Sequence, residues 1–158
     1  HVVLDPQGEP CRCGNRGCLE TFVGSRALIR QARQAACDDP GSALHRYAVS
    51  PEDVNTEVLL QAYEDGDPAV RSLVEEAGAR LGAGIAHMAG SLGVQRVVLA
   101  GSLARLGAGL ADPVRRALEA RWLPTLTAEM TVETSSLGDD IVILGAAALL
   151  LSEELGIL

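Results

Sequence analysis

Three cysteines fall within eight residues, Cys11-x-Cys13-x4-Cys18, in a stretch with no hydrophobic periodicity of its own. The first 20 residues are instead rich in turn formers: Asp5-Pro6, Gly8, Pro10, Gly14, Asn15 and Gly17. Such a segment buries too little apolar surface to offset its ordering entropy, so something other than a core must hold it. A disulfide framework shows an even set of cysteines spread along the chain, whereas here three are bunched and Cys37 stands alone. The bunching points to a metal in a reducing, cytoplasmic compartment; the competing reading is a disulfide or free thiols. Zinc takes about four soft ligands in a tetrahedron, and three thiolates with the imidazole of His1 satisfy that. Gly14 and Gly17 permit the reversal that brings Cys18 round to the Cys11-x-Cys13 pair. Four protein ligands leave no open position for a reactive water, so the predicted metal is structural. On local logic His1 is the weakest ligand, because a terminal histidine is often only a solvated end.

The 158 residues, 47% hydrophobic and 3% aromatic, suit one domain with an aliphatic core, 1–20 forming the zinc loop and 21–158 an α/β lobe. The chain opens on His1 with no initiator methionine or leader, and reads as a piece of a longer one. Its net charge is −8, and all 13 basic residues are arginine. An acidic surface without a basic cluster is a poor partner for nucleic acid, whose affinity rests on neutralised phosphates. The absence of lysine excludes a lysine phosphate clamp or Schiff base in this part. The longest apolar run, Ile141 to Leu151, has 11 residues against the roughly 20 that span a membrane, so it is expected to be a buried helix.

Periodicity and punctuation predict helices over about 25–36 and from Asn55, as cap, to Ala62. Cys37 to Pro51 reads as a loop. Asp67-Pro68 starts a long helix that runs to Leu92 and stops at Gly93. Its apolar positions are Val70, Leu73, Val74, Ala77, Leu81, Ile85, Met88 and Leu92. A second stripe of Gly78, Gly82, Ala86 and Gly90 allows another backbone to approach closely. Arg96 to Gly101 predicts a buried strand, followed by a helix over about 111–121 and a strand near 129–134. Asp139-Asp140 opens the last helix, Ile141 to about Leu155. His45, His87 and Trp122, the last just before Leu123-Pro124, read as packed or hydrogen-bonded residues.

Cys11-Arg12-Cys13-Gly14-Asn15-Arg16-Gly17-Cys18-Leu19-Glu20 resembles the cysteine–glycine signature of the ROK family (repressor, open reading frame, kinase). His1 falls where that family has a Gly-His motif. The likeness continues through Gly24-Ser25-Arg26-Ala27-Leu28, through Arg96-Val97-Val98-Leu99-Ala100-Gly101-Ser102 and through Asp140-Ile141-Val142-Ile143-Leu144-Gly145-Ala146-Ala147. The resemblance implies the C-terminal lobe of an actin-like ATPase, ribonuclease H-like α/β fold. It implies zinc held by His1, Cys11, Cys13 and Cys18, and a sugar met by His1 and Glu20. A carboxylate accepts from two hydroxyls, and at two residues from Cys18 it would be oriented by the metal. The local alternative for Glu20 is a first-turn carboxylate favoured by the helix dipole.

Within such a family the chain is either a sugar-responsive repressor or an ATP-dependent sugar kinase. Kinases of the family carry paired glycines after the adenosine-side strand; here the run is Ala100-Gly101-Ser102, which reads as a vestigial nucleotide loop. The ending Leu150-Leu151-Ser152-Glu153-Glu154-Leu155-Gly156 is also closer to the repressors. The expected protein is therefore a cytoplasmic, non-enzymatic, homodimeric or tetrameric regulator with no membrane contact. It binds a sugar effector here and DNA through an upstream helix-turn-helix. A third reading is a zinc-stabilised interaction or dimerisation module.

Overall fold

A computed structural model describes residues 1–122 and 130–157. Its longest element is a helix over Pro68–Leu92, bounded as the punctuation predicts. The Asp67 carboxylate accepts from the Val70 N–H at 3.0 Å, Pro68 occupies the first turn, and Gly93 ends the helix at φ 64°. In chain order the helices are α1 Leu19–Val23, α2 Ser25–Asp38, α3 Leu44–Tyr47, α4 Thr56–Glu64, α5 Pro68–Leu92, α6 Ala108–Glu119 and α7 Ile141–Glu154. Two strands, β1 Arg96–Leu99 and β2 Thr131–Thr134, pair in parallel with Arg96 opposite Thr131 and Leu99 opposite Thr134. Among the described residues they form a two-stranded sheet, linked through α6.

The core lies among α2, α4, α5 and α6, where Leu28, Leu59, Val70, Val74, Val114 and Leu118 are almost wholly buried. The small-residue stripe of α5 faces α6. A Cβ at Gly78 would fall 2.6 Å from the Pro113 Cβ, and one at Gly82 would fall 2.5 Å from the Val114 carbonyl oxygen. The helices thus meet backbone to backbone over α5's glycines. Trp122 anchors the far end: its indole donates to the Ala86 carbonyl at 3.1 Å and lies against Gly90. His45 bonds the Ala36 carbonyl and His87 the Ala83 carbonyl.

Several expectations need correction. The segment 37–51 is not all loop: α2 runs on through Cys37 and Asp38, and α3 forms at Leu44. Tertiary contacts make α3, since Leu44 is fully buried and Asp67 accepts from the Ser42 hydroxyl at 2.6 Å and the Ala43 N–H at 2.8 Å. Helix α6 spans Ala108–Glu119 where 111–121 was expected, and carries Pro113 inside it. Strand β1 buries only Leu99 fully and leaves Val98 49% exposed. In α5 the apolar stripe emerges at Met88 and Leu92, which are 42% and 76% exposed. The expected burial of the last helix is overturned: α7 has no buried residue, and Val142, Ile143 and Leu149 are each at least 66% exposed. Its composition demands a covering that no described element supplies. The predicted start of the second strand at 129, and Leu123-Pro124, lie outside the described residues.

Candidate metal centre and adjoining cleft

Residues 1–18 fold back on themselves through short backbone contacts. Val3 bridges Cys18 and Pro10 bridges Arg16, both antiparallel. The Gly17 carbonyl accepts from the Leu4 and Asp5 N–H groups at 2.9 and 3.1 Å, and the Gly17 N–H donates to Glu9. Gly17 sits at φ 58°, and a Cβ there would collide with the Asp5 carbonyl. Glycine is therefore required at that reversal on two counts, conformation and space. The return path delivers Cys18, fully buried, beneath Cys11 and Cys13.

One ligand atom from each of His1, Cys11, Cys13 and Cys18 lies within 4.8 Å of all the others. The His1 Nδ1 is 3.3 Å from the Cys11 sulfur, and the Cys13 and Cys18 sulfurs are 3.5 Å apart. A tetrahedral zinc with bonds of about 2.3 Å to sulfur would set sulfurs about 3.8 Å apart, so the four donors fit the group with small adjustment. The thiols are tuned in opposite senses. A hydrogen bond from the Asn15 backbone holds the Cys13 thiol below its ordinary value, outweighing the desolvation that pulls it up. Burial pushes the Cys18 thiol up to about 12, reinforced by the Cys13 and Cys11 sulfurs. Neighbouring thiolates oppose one another's ionisation, and a dication among them reverses that penalty. The donor chemistry thus suits a metal.

Beside the cluster opens a cleft of about 580 Å³ whose walls include His1, Cys11, Arg12, Cys13, Glu20 and Arg26. Glu20 stands in the first turn of α1, capped at Cys18, so the buried sulfur and the carboxylate share one short helix start. Gly24 makes room for that carboxylate: a Cβ there would fall 2.6 Å from Glu20 Oε1. The structure therefore brings His1, Cys11, Cys13, Cys18 and Glu20 together. Ala100, Gly101 and Ser102 lie elsewhere, at the end of β1, where Gly101 turns at φ 93° with open space over its α-carbon. Sequence reading missed Gly24 and the cleft arginines. Spacing of four between Arg26 and Arg30 on α2 was the available signal.

The ROK family model matches residues 1–153. The chain belongs to the ROK family. A glucokinase of Thermotoga maritima is 33% identical over 159 residues, covering 99% of this chain and 49% of that protein. Among solved structures, a ROK glucokinase from Streptomyces griseus in complex with glucose and AMPPNP superposes with a TM-score of 0.83 at 27% identity, over 94% of this chain and 49% of that one. A ROK transcriptional regulator, a homologue of the Escherichia coli MLC protein, superposes at 0.75 and 26% identity, over 85% of this chain and 33% of that one. The fold is thus the α/β fold of the ROK sugar kinases and regulators, and the chain spans about half the length of the curated relatives it matches. Among the described residues no helix is long and apolar enough to cross a membrane.

Proposed function

We propose that this chain is the sugar-binding lobe of a ROK protein, with a structural zinc held by His1, Cys11, Cys13 and Cys18. The observation that carries the reading is the shared helix start, with Glu20 two residues from the buried Cys18 and facing the cleft. Glu20 accepts hydrogen bonds from two sugar hydroxyls, and the ring nitrogen of His1 not bound to metal meets a third. The metal takes no part in chemistry; it fixes the loop that carries one wall. Replacing Glu20 by Gln tests this, because the amide loses half its acceptor capacity and the charge that strengthens each bond. Hexose affinity measured by titration calorimetry falls about tenfold or more; unchanged affinity would refute the assignment.

For the whole protein we favour a sugar-responsive regulator, acting as a cytoplasmic dimer or tetramer and binding DNA through a segment outside this sequence. Two sequence features support it: Ala100 ahead of Gly101, where a methyl group narrows the approach of a nucleotide, and the Leu150–Gly156 ending. Sugar would act by binding one conformation of the lobes better than the other. The glucokinase relative supports a second reading, ATP-dependent phosphorylation of a hexose at the same cleft, with ATP near Gly101. Incubation of the intact protein with glucose and ATP separates the two. ADP release at turnover rates means a kinase, and sugar-dependent DNA binding without ADP release means a regulator.

A further inference from the structure

Helix α1, which carries Glu20, cannot hold itself. It has five residues and none of them is fully buried, whereas isolated helices shorter than about 12–15 residues are marginal in water. Its start is tied to the cysteine loop, through Cys18 as cap and through the Leu19 N–H, which donates to the Val2 carbonyl at 2.7 Å. A second set of contacts comes from α5. The Leu19 side chain fills the notch left at Gly84, where a Cβ would fall 2.9 Å from Leu19 Cδ2. One turn earlier the Arg80 guanidinium stands 4.3 Å from the centre of the Phe22 ring, inside the roughly 6 Å range of a cation–ring attraction. Phe22 is the single phenylalanine of the chain. Glu76 aims the guanidinium, accepting from its Nε at 3.0 Å and from its Nη2 at 2.7 Å. Two residues along a helix is a rotation of about 200°, so Arg80 and Gly84 lie opposite Gly78 and Gly82, which meet α6. Helix α5 is thus met at close range on two faces, and the second face bears the helix of Glu20.

We infer that Glu76, Arg80 and Gly84 are positioning residues of the sugar site: through Phe22 and Leu19 they hold α1 independently of the cysteine loop, and so fix Glu20 in the cleft wall. This rests on the sugar-binding reading above and gives that site a second support. Leu19 and Phe22 stand three residues apart and share one face of α1, which they spend on α5. Glu20 lies beside that face and lines the cleft. A carboxylate on so short a helix meets a sugar only in the molecules whose helix is formed, and apparent affinity falls in proportion to that fraction. Contacts that count for little in global stability, such as an exposed ion pair one turn apart, therefore weigh on affinity when they hold this helix.

The test is titration calorimetry of the intact, zinc-loaded protein with glucose, alongside zinc content by plasma mass spectrometry and the urea midpoint by circular dichroism. Arg80→Ala lowers glucose affinity about threefold or more, the effect of losing one cation–ring contact. Gly84→Val fills the notch, displaces Leu19 and lowers affinity in the same way. Arg80→Lys keeps a cation over the ring and retains most of the wild-type affinity. Arg116→Ala removes an ion pair to Glu75 on the α6 side of α5 and leaves affinity unchanged. Zinc content stays at the wild-type level in all four. Lower urea midpoints with unchanged glucose affinity in Arg80→Ala and Gly84→Val mean that these contacts serve packing alone; that overturns the inference and leaves the sugar reading standing. Zinc loss in step with lost affinity means that α5 acts through the cysteine loop, which overturns it as well. Failure of the wild-type protein to bind glucose overturns both.

Discussion

The contact between α5 and α6 yields a prediction whose sign, as well as size, is set by the structure. In an exposed helix, replacing glycine by alanine stabilises by about 1 kcal/mol, because alanine loses less backbone entropy on folding. At Gly82 the new Cβ would stand 2.5 Å from the Val114 carbonyl oxygen and 2.7 Å from the Ala117 Cβ. Ordinary contacts need about 3.5 Å or more, so the two helices must separate by about 1 Å. The nearest atom is a backbone oxygen that cannot rotate away, which places the overpacking cost near the upper end of about 1–3 kcal/mol. Gly82→Ala is therefore expected to destabilise by about 2 kcal/mol net of the propensity gain. Gly145, in α7, has nothing within 4 Å of an added Cβ, so Gly145→Ala stabilises that helix by up to about 1 kcal/mol. Urea unfolding followed by circular dichroism reads the contrast. With a slope of about 1–3 kcal/mol per molar, the Gly82 variant unfolds at a midpoint lower by about 1 M with the slope unchanged. A rise in midpoint for Gly82→Ala would refute the close-packed contact.

Three further outcomes follow from other parts of the structure. Asp67→Ala strands the Ser42 hydroxyl and the Ala43 and Val70 N–H groups in a buried setting, and lowers stability by about 2–4 kcal/mol in the same assay. Burial raises the Asp67 carboxyl, but hydrogen bonds from Ser42, Val70 and Ala43 outweigh it and hold it below its usual value. Its stabilisation is therefore present above the unfolded carboxyl value of about 3.9 and is lost as pH falls through the lower folded value. The gap between wild type and Asp67→Asn accordingly narrows only below about pH 4. Gly17→Ala places a methyl group against the Asp5 carbonyl and strains φ at 58°, so metal content measured by plasma mass spectrometry falls below half an equivalent. Its helical circular dichroism persists, because the α2–α6 core does not depend on that reversal. Gly24→Ala displaces the Glu20 carboxylate and weakens hexose binding while leaving metal content at the wild-type level.

Local chemistry made the boundaries of α5 and α4 legible. Asp67-Pro68 and Gly93 bound one helix, and Asn55, whose side chain accepts from the Glu57 and Val58 N–H groups, opens the other. The gathering of His1, Cys11, Cys13 and Cys18 was legible for the same reason, since the four sit within 18 residues and the turn glycines between them permit few other paths. What escaped was set by distant partners. Helix α3 exists because Asp67 holds Ser42 and Ala43, a contact across 25 residues that no local pattern displays. The burial expected of α7 and of β1 came from composition, yet burial is a property of what stands alongside, and the described residues supply little there. Helix α6 begins at Ala108, ahead of the expected 111, and tolerates Pro113 where its ring packs on Gly78. The guanidiniums of the cleft come from the loop and from α2, and only folding brings them to one wall.

The most direct test of the proposed zinc-built sugar cleft is hexose affinity of the intact protein before and after removal of the metal by a chelator. The proposal predicts that binding weakens by about tenfold or more on removal and returns with zinc, while helical circular dichroism stays constant, because Cys18 stands at the helix start that carries Glu20. Equal affinity in the metal-free protein, with its helices intact, would contradict the claim that the metal shapes the site.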